Sequence, residues 1–119
     1  MTDQAIEQEV QEKGLTAPRV TPADIEVNIA SEHYLIVGSA LAALGVMKSY
    51  ESHVSLNLLT ICVLVLRNGF TVTGESACAS PENFDADLGR KIARQNAVEK
   101  IWPLMGYELK SRISKGAPK

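Results

Sequence analysis

Six residues carry the types and spacings that bear on chemistry: Asn83, Phe84, Arg90, Arg94, Asn96 and Arg112. What they offer is recognition, not bond-making. Phe84 sits where a helix is expected to begin. An aromatic plate there can stack a base, worth ~1–3 kcal/mol per base in nucleic-acid binders. The free N–H groups of a helix start favour an anion beside it. Asn83 shares that position. Asn96 falls inside a helical arc formed by Leu88, Gly89, Ile92 and Ala93. An amide buried without partners costs roughly 1–3 kcal/mol by mutational estimates, so Asn96 must bond backbone, another subunit or a ligand. Arg90, Arg94 and Arg112 carry the planar fork that grips phosphate bidentately. Each of these residues also has a plain structural role. Asn96 can tie the helix to a strand or loop, Phe84 can staple the next turn, and the arginines can simply solvate a helix face.

The types required for catalysis lie apart. The chain has two histidines and two cysteines, Cys62 and Cys78, with no CxxC or HxxxH spacing. His53 and Ser55 are two residues apart and form no catalytic unit by themselves. Gly69 and Gly74 belong to no phosphate-loop pattern. The expectation is a non-enzyme with no metal and no cofactor.

The elements that must position the six residues give an α+β fold. Residues 1–19 are polar and acidic and are expected to form a flexible tail. Thr21 can cap, Pro22 suits the first helical position, and Asp24 completes a capping box. That helix is expected to run to about Ser31, with His33–Leu35 leaving it as a short extended piece. Residues 39–50, rich in Ala and Leu, predict a second short helix, followed by a loop to Ser55. An antiparallel β-hairpin, about 56–67 and 70–77, follows from a β-branched apolar run, Asn68-Gly69 and a second alternating run. Read as a two-residue type I′ turn, Asn68-Gly69 sets Leu66 opposite Thr71, Val65 opposite Val72 and Leu64 opposite Thr73. Cys62 then faces Glu75, Cys78 reaches Leu59, and a Cys62–Cys78 disulfide is disfavoured by geometry. Asn83 or Asp85 caps a long helix over about 85–102, with a break or kink at Pro103 and then a last helical turn or two through Leu109 and Ile113. One domain spans 20–114, and 115–119 form a second flexible tail.

Composition narrows the class. The chain has 119 residues, a net charge of −2 and 45% hydrophobic residues, ordinary for one globular domain. Residues 1–84 hold four basic and ten acidic side chains, while 85–119 hold eight basic and four acidic. The overall acidity argues against DNA or RNA as a partner. The apolar run from Leu35 to Met47 is interrupted by Gly38, Ser39 and Gly45 and is too short to span a bilayer, so no membrane partner is expected. No basic-then-apolar leader is visible, and a reducing cytoplasm is the default. The first hairpin strand is apolar on both faces. That calls for cover on both and predicts a homo-oligomer, at least a dimer.

The ordered segment NGF…SAC…PENFD…NA…KIW…GY, running from Asn68 to Tyr107, resembles a family of small phage and prophage proteins named after gene 49 of one phage and gene 66 of another. The likeness extends over about 20–113. It implies a phage accessory protein acting in the host cytoplasm. At the hairpin-and-helix half the chain is also similar to the Thoeris anti-defence sponge proteins. That resemblance implies an oligomer that sequesters a small cyclic nucleotide signal without cleaving it, with Phe84, Asn96 and Arg112 as contacts. The alternative expectation is a non-enzymatic inhibitor or scaffold that binds a host protein, carried by the acidic tail and the doubly apolar strand.

Overall fold

The computed structural model describes residues 2–15, 17–46 and 54–116. The order is α1 (Asp3–Glu12), α2 (Pro22–Asn28), β1 (Ile29–Ile36), α3 (Val37–Ala43), β2 (Leu59–Leu66), β3 (Thr71–Ala77) and the long helix α4 (Ala86–Ser114). The three strands form one antiparallel sheet in the order β1-β2-β3. α4 packs along one face of that sheet.

Local chemistry sets several boundaries as expected. Thr21 and Asp24 form the reciprocal capping box of α2. Of the two candidate caps for α4 it is Asp85 that serves, accepting from Leu88 N at 3.1 Å. Asn83 instead ends a short 3₁₀ turn, Pro81–Asn83.

The helix beginning at Pro22 stops at Asn28, earlier than the sequence reading, and Ile29–Ile36 is a full strand. Tyr34 pairs with Cys62 and Leu35 with Ile61, so β2 becomes the central strand. A long-range ladder outweighs a weak local helical spacing here.

The hairpin forms, but its register is one residue from that of a type I′ turn. Val65 pairs with Thr71, Leu64 with Val72 and Cys62 with Gly74; Glu75 faces Ile61, and Ala77 faces Leu59. Of the two turn residues only Gly69 has positive φ, at 89°. Leu66 N donates to Phe70 O at 2.8 Å and Gly69 N to Leu66 O at 2.9 Å. This is a three-residue loop with glycine in the left-handed position, the next commonest hairpin. Asn68 stays at negative φ because its Oδ1 accepts from Phe70 N at 2.9 Å. Arg67 N donates to Asn28 O at 2.9 Å, tying the loop to the end of α2.

The shift decides which β3 residues join the core, because side chains alternate faces. Cys62, Leu64, Leu66 and Val72 are buried together against Ala93, Ala97, Val98 and Ile101 of α4, with Ile25 of α2. Each fully buried aliphatic contributes about 1.5–3 kcal/mol. Gly74 faces the helix so closely that a Cβ there would lie 2.2 Å from Ala93 O and 2.3 Å from Ala97 N.

The buried face of α4 is Gly89, Ala93, Ala97, Val98, Ile101 and Leu109. Leu88 and Ile92, expected in the packed arc with Gly89 and Ala93, are exposed. Nor does the helix end at 102: it continues through Pro103 to Ser114. Proline forfeits one backbone bond there, and the extra turns bury Leu109.

Within the segment expected to be a flexible acidic tail, Asp3–Glu12 form α1, capped by Thr2. α3 ends at Ala43. Residues 47–53, which include His53, the expected end of that helix and most of the following loop, lie outside the described residues, as do 117–119 of the C-terminal tail.

Candidate functional site

The six residues singled out in the sequence do not converge on one place. Asn83 and Phe84 line a groove of about 140 Å³ at the start of α4, together with Cys78, Asp85 and Ile92. Phe84 is half-buried there, and Cys78 Sγ donates to Ser80 O at 3.1 Å. Asn96 stands three turns away. It is exposed, and its Nδ2 donates to Glu75 O at 2.7 Å. It therefore anchors α4 to the edge strand β3, beside the close contact at Gly74.

Arg94 is the hub of a polar network. Nε donates to Glu32 Oε2 at 2.8 Å, and Nη2 to Glu26 Oε1 at 2.8 Å. One guanidinium thus joins α2, β1 and α4. Hydrogen bonds from Arg94 hold the Glu32 carboxyl below its ordinary range. The Glu26 bond raises Arg94 further, so it is permanently charged. Tyr34 Oη donates to Glu32 Oε1 at 3.3 Å. Burial first, then the neighbouring Cys62 and Glu32, push Tyr34 up to about 12. Burial also raises the Cys62 thiol. Both cysteines are free. Arg90 pairs with Asp87 on the helix surface.

Arg112 reaches a different and larger space. It lines a groove of about 500 Å³ with Arg67, Asn68, Asn28, Asp24 and Glu108, over an apolar floor that includes Val27, Met105 and Leu109. Arg67 Nε donates to Val27 O at 2.9 Å. That contact fixes the side chain and leaves its terminal amino groups as an end-on fork for a bidentate acceptor. Arg112 pairs with Glu108 at 3.1 Å across one exposed helical turn. Such a pair is worth only about 0.3–0.5 kcal/mol and exchanges readily for another acceptor. Asp24 already accepts from Thr21 N at 3.0 Å.

Arg67, Asn28 and Asn68 escaped the sequence reading. The groove needs the hairpin loop docked on α2 and the helix carried past Pro103. With a break or kink at Pro103, the direction of the last helical turns was open and nothing set Arg112 opposite Arg67. The one signal available was an arginine directly before a turn dipeptide at the end of an apolar strand.

A third groove, about 310 Å³, lies under α1 and is lined by Ile6, Val10, Val20 and Trp102. Trp102 Nε1 donates to Asp3 Oδ2 at 3.2 Å, and Arg19 Nη2 to Glu7 Oε2 at 2.8 Å. Hydrogen bonds from Arg19, then from Gln11, lower Glu7 to about 2. This contact is complete above the ordinary carboxyl value of 4.5 and is lost as pH falls towards 2. Deleting residues 1–19 is expected to leave a cooperatively melting core while Trp102 emission moves to longer wavelength. Unchanged emission would mean that α1 does not shield the indole.

Among the described residues no group of three or more His, Cys, Asp or Glu side chains is placed to hold a metal ion. Nor is any described helix long and apolar enough to cross a membrane.

No curated protein and no solved structure matches the chain. The phage family does: the description "Phage protein (N4 Gp49/phage Sf6 gene 66) family" fits residues 20–113, a span that begins just before α2, ends one residue short of the end of α4 and leaves out α1. The chain is a member of that phage protein family.

Proposed function

We propose that this phage protein works by stoichiometric binding. It holds a small cyclic nucleotide in the host cytoplasm without cleaving it, and so withdraws an immune signal from the host. The observation that carries the reading is the groove between α2, the hairpin loop and the end of α4. At about 500 Å³ it is within the usual size of a small-ligand site. Arg67 and Arg112 answer a phosphate, the amides of Asn28 and Asn68 answer base or ribose edges, and Val27, Met105 and Leu109 offer an apolar floor to a base. The smaller groove at Phe84 supplies an aromatic face but no described guanidinium. For this reason the larger groove is the proposed ligand site, with Arg112 the one candidate shared with the sequence reading.

Calorimetry of the pure protein against cyclic mononucleotides, cyclic dinucleotides and cyclic ADP-ribose isomers tests this. Micromolar binding of at least one is expected. Arg112→Ala and Arg67→Lys should each weaken it about tenfold or more, the loss of one charge-assisted contact. The nucleotide should be recovered intact after denaturation. Absence of binding across the panel would sink the reading. Recovery of a cleaved product would replace it with hydrolysis. Loss through Phe84→Ala, with Arg112→Ala silent, would move the ligand to the smaller groove.

A further inference from the structure

We infer that the outer face of the three-stranded sheet is an interface between two copies of this chain. β2 is apolar on both faces, but α4 covers only the inner one. Leu59, Ile61, Val63 and Val65 project from the other side, with Leu35 beside Ile61, and all remain partly exposed. A central strand apolar on both faces is the pattern of a sheet covered twice. α3 touches β1 and β2. At seven residues, about 10 Å, it is much shorter than the face, which extends roughly 26 Å along the strands.

The dimensions agree. The chain measures 57 × 29 × 17 Å, and its thinnest extent is that of one helix layer on one sheet. Its radius of gyration is 18.3 Å. A compact domain of this length would have about 13.5 Å. The excess belongs to the 57 Å long axis; among the described residues no element as long as the strands covers the outer side of the sheet.

The chemistry of the face selects a second copy as its cover. With histidine counted neutral, its only formal charge across the three strands is Glu75; it carries no lysine or arginine, and the exposed His33, paired with Val63, has its Nε2 3.0 Å from Ser31 Oγ. It therefore offers nothing to a nucleic acid or an anionic surface. The apolar strip is symmetric about Val63, with Ile61 and Val65 at equal distances, so it complements itself under a two-fold axis. Glu75 lies on an edge strand and off that centre. A two-fold axis in the interface through Val63, whether along or across the strands, keeps the two Glu75 carboxylates apart. Three strands give a footprint of about 26 × 14 Å per copy. With side-chain relief the pair buries on the order of 1,000 Å², the lower bound for a specific interface.

Sedimentation or light scattering of the ligand-free protein at tens of micromolar tests the inference. The expected mass is about twice 12.9 kDa. Val63→Glu should return the single-chain mass while far-UV circular dichroism and Trp102 emission stay unchanged, since Trp102 lies on the opposite side of the sheet. Should that variant fail to fold, the near-isosteric Val63→Thr should raise the dimer dissociation constant about tenfold. A monomeric wild type would overturn the inference and leave the face to a host protein. A folded Val63→Glu variant that stays dimeric would overturn it as well.

Discussion

Gly74→Val is expected to abolish the fold, or to cost about 3 kcal/mol or more where a folded state survives. The reason is distance. Any Cβ at this position meets Ala93 O at 2.2 Å and Ala97 N at 2.3 Å, both backbone atoms of α4. A flexible side chain can swing aside from such a contact, but a helix backbone cannot. The helix must lift off the sheet, and Cys62, Leu64, Ala93 and Ala97, all fully buried, lose their packing together. Asn96, bonded to Glu75 O at 2.7 Å one residue along β3, loses its acceptor in the same step. Gly74→Ala should show most of the effect, because the clash is with Cβ itself. Gly106 is the internal control. It is also in α4, and a Cβ there meets nothing within 4 Å. Gly106→Ala should stabilise the protein by up to about 1 kcal/mol through helix propensity. Chemical denaturation of the three variants decides it. A Gly74→Val protein that melts with the wild type would show that α4 does not sit on β3 as described.

The same contact explains what the sequence made legible and what it hid. Local signals with a single physical outcome were readable: the Thr21–Asp24 box, and a hairpin from an apolar run closed by Asn68-Gly69; the cap of α4 was left between Asn83 and Asp85. Signals with two outcomes were not. Asn-Gly serves a two-residue loop with both residues at positive φ, or a three-residue loop with glycine alone there. Arg67 N bonded to Asn28 O, a contact across 39 residues, belongs to the second, and nothing local announces it. Ile29–Ile36 has the same ambiguity. Ile25 and Ile29 at i and i+4 suit a helix, while the strand exists only because β2 offers an edge. On α4 the expected arc held both the small residues Gly89 and Ala93 and the large Leu88 and Ile92. The real face keeps the small ones and adds Ala97, Val98 and Ile101 while Leu88 and Ile92 stay exposed, because close approach favours small residues over large ones. The candidate site inherited these errors. Asn96 proved to be a strand anchor, and Arg94 is held by two carboxylates. Arg112 found its partners only because α4 continues past Pro103.

Arg94→Met should destabilise the protein by about 2 kcal/mol at neutral pH, more than a solitary surface pair is worth. Methionine keeps the length and much of the apolar stem, so the loss reports the guanidinium. Arg94 is 29% exposed and binds Glu26 and Glu32 at once, from two different elements. Its removal leaves two carboxylates facing a vacated centre of charge. The pH dependence separates this from a packing defect. Arg94 depresses the Glu32 carboxyl below its ordinary value of 4.5. A depressed carboxyl contributes stability that is fully present above that value and disappears as pH falls through the lower, folded-state value. The wild type should therefore lose stability steadily below about pH 4.5. The variant, with no cation to protect, should lose less or gain, since protonation relieves the repulsion between its two carboxylates. The gap between the two proteins is expected to be constant from pH 6 to 8 and to close in acid. Curves that stay parallel from pH 8 down into acid would mean that the network contributes shape alone, and that Arg94 is free to be given up to a ligand.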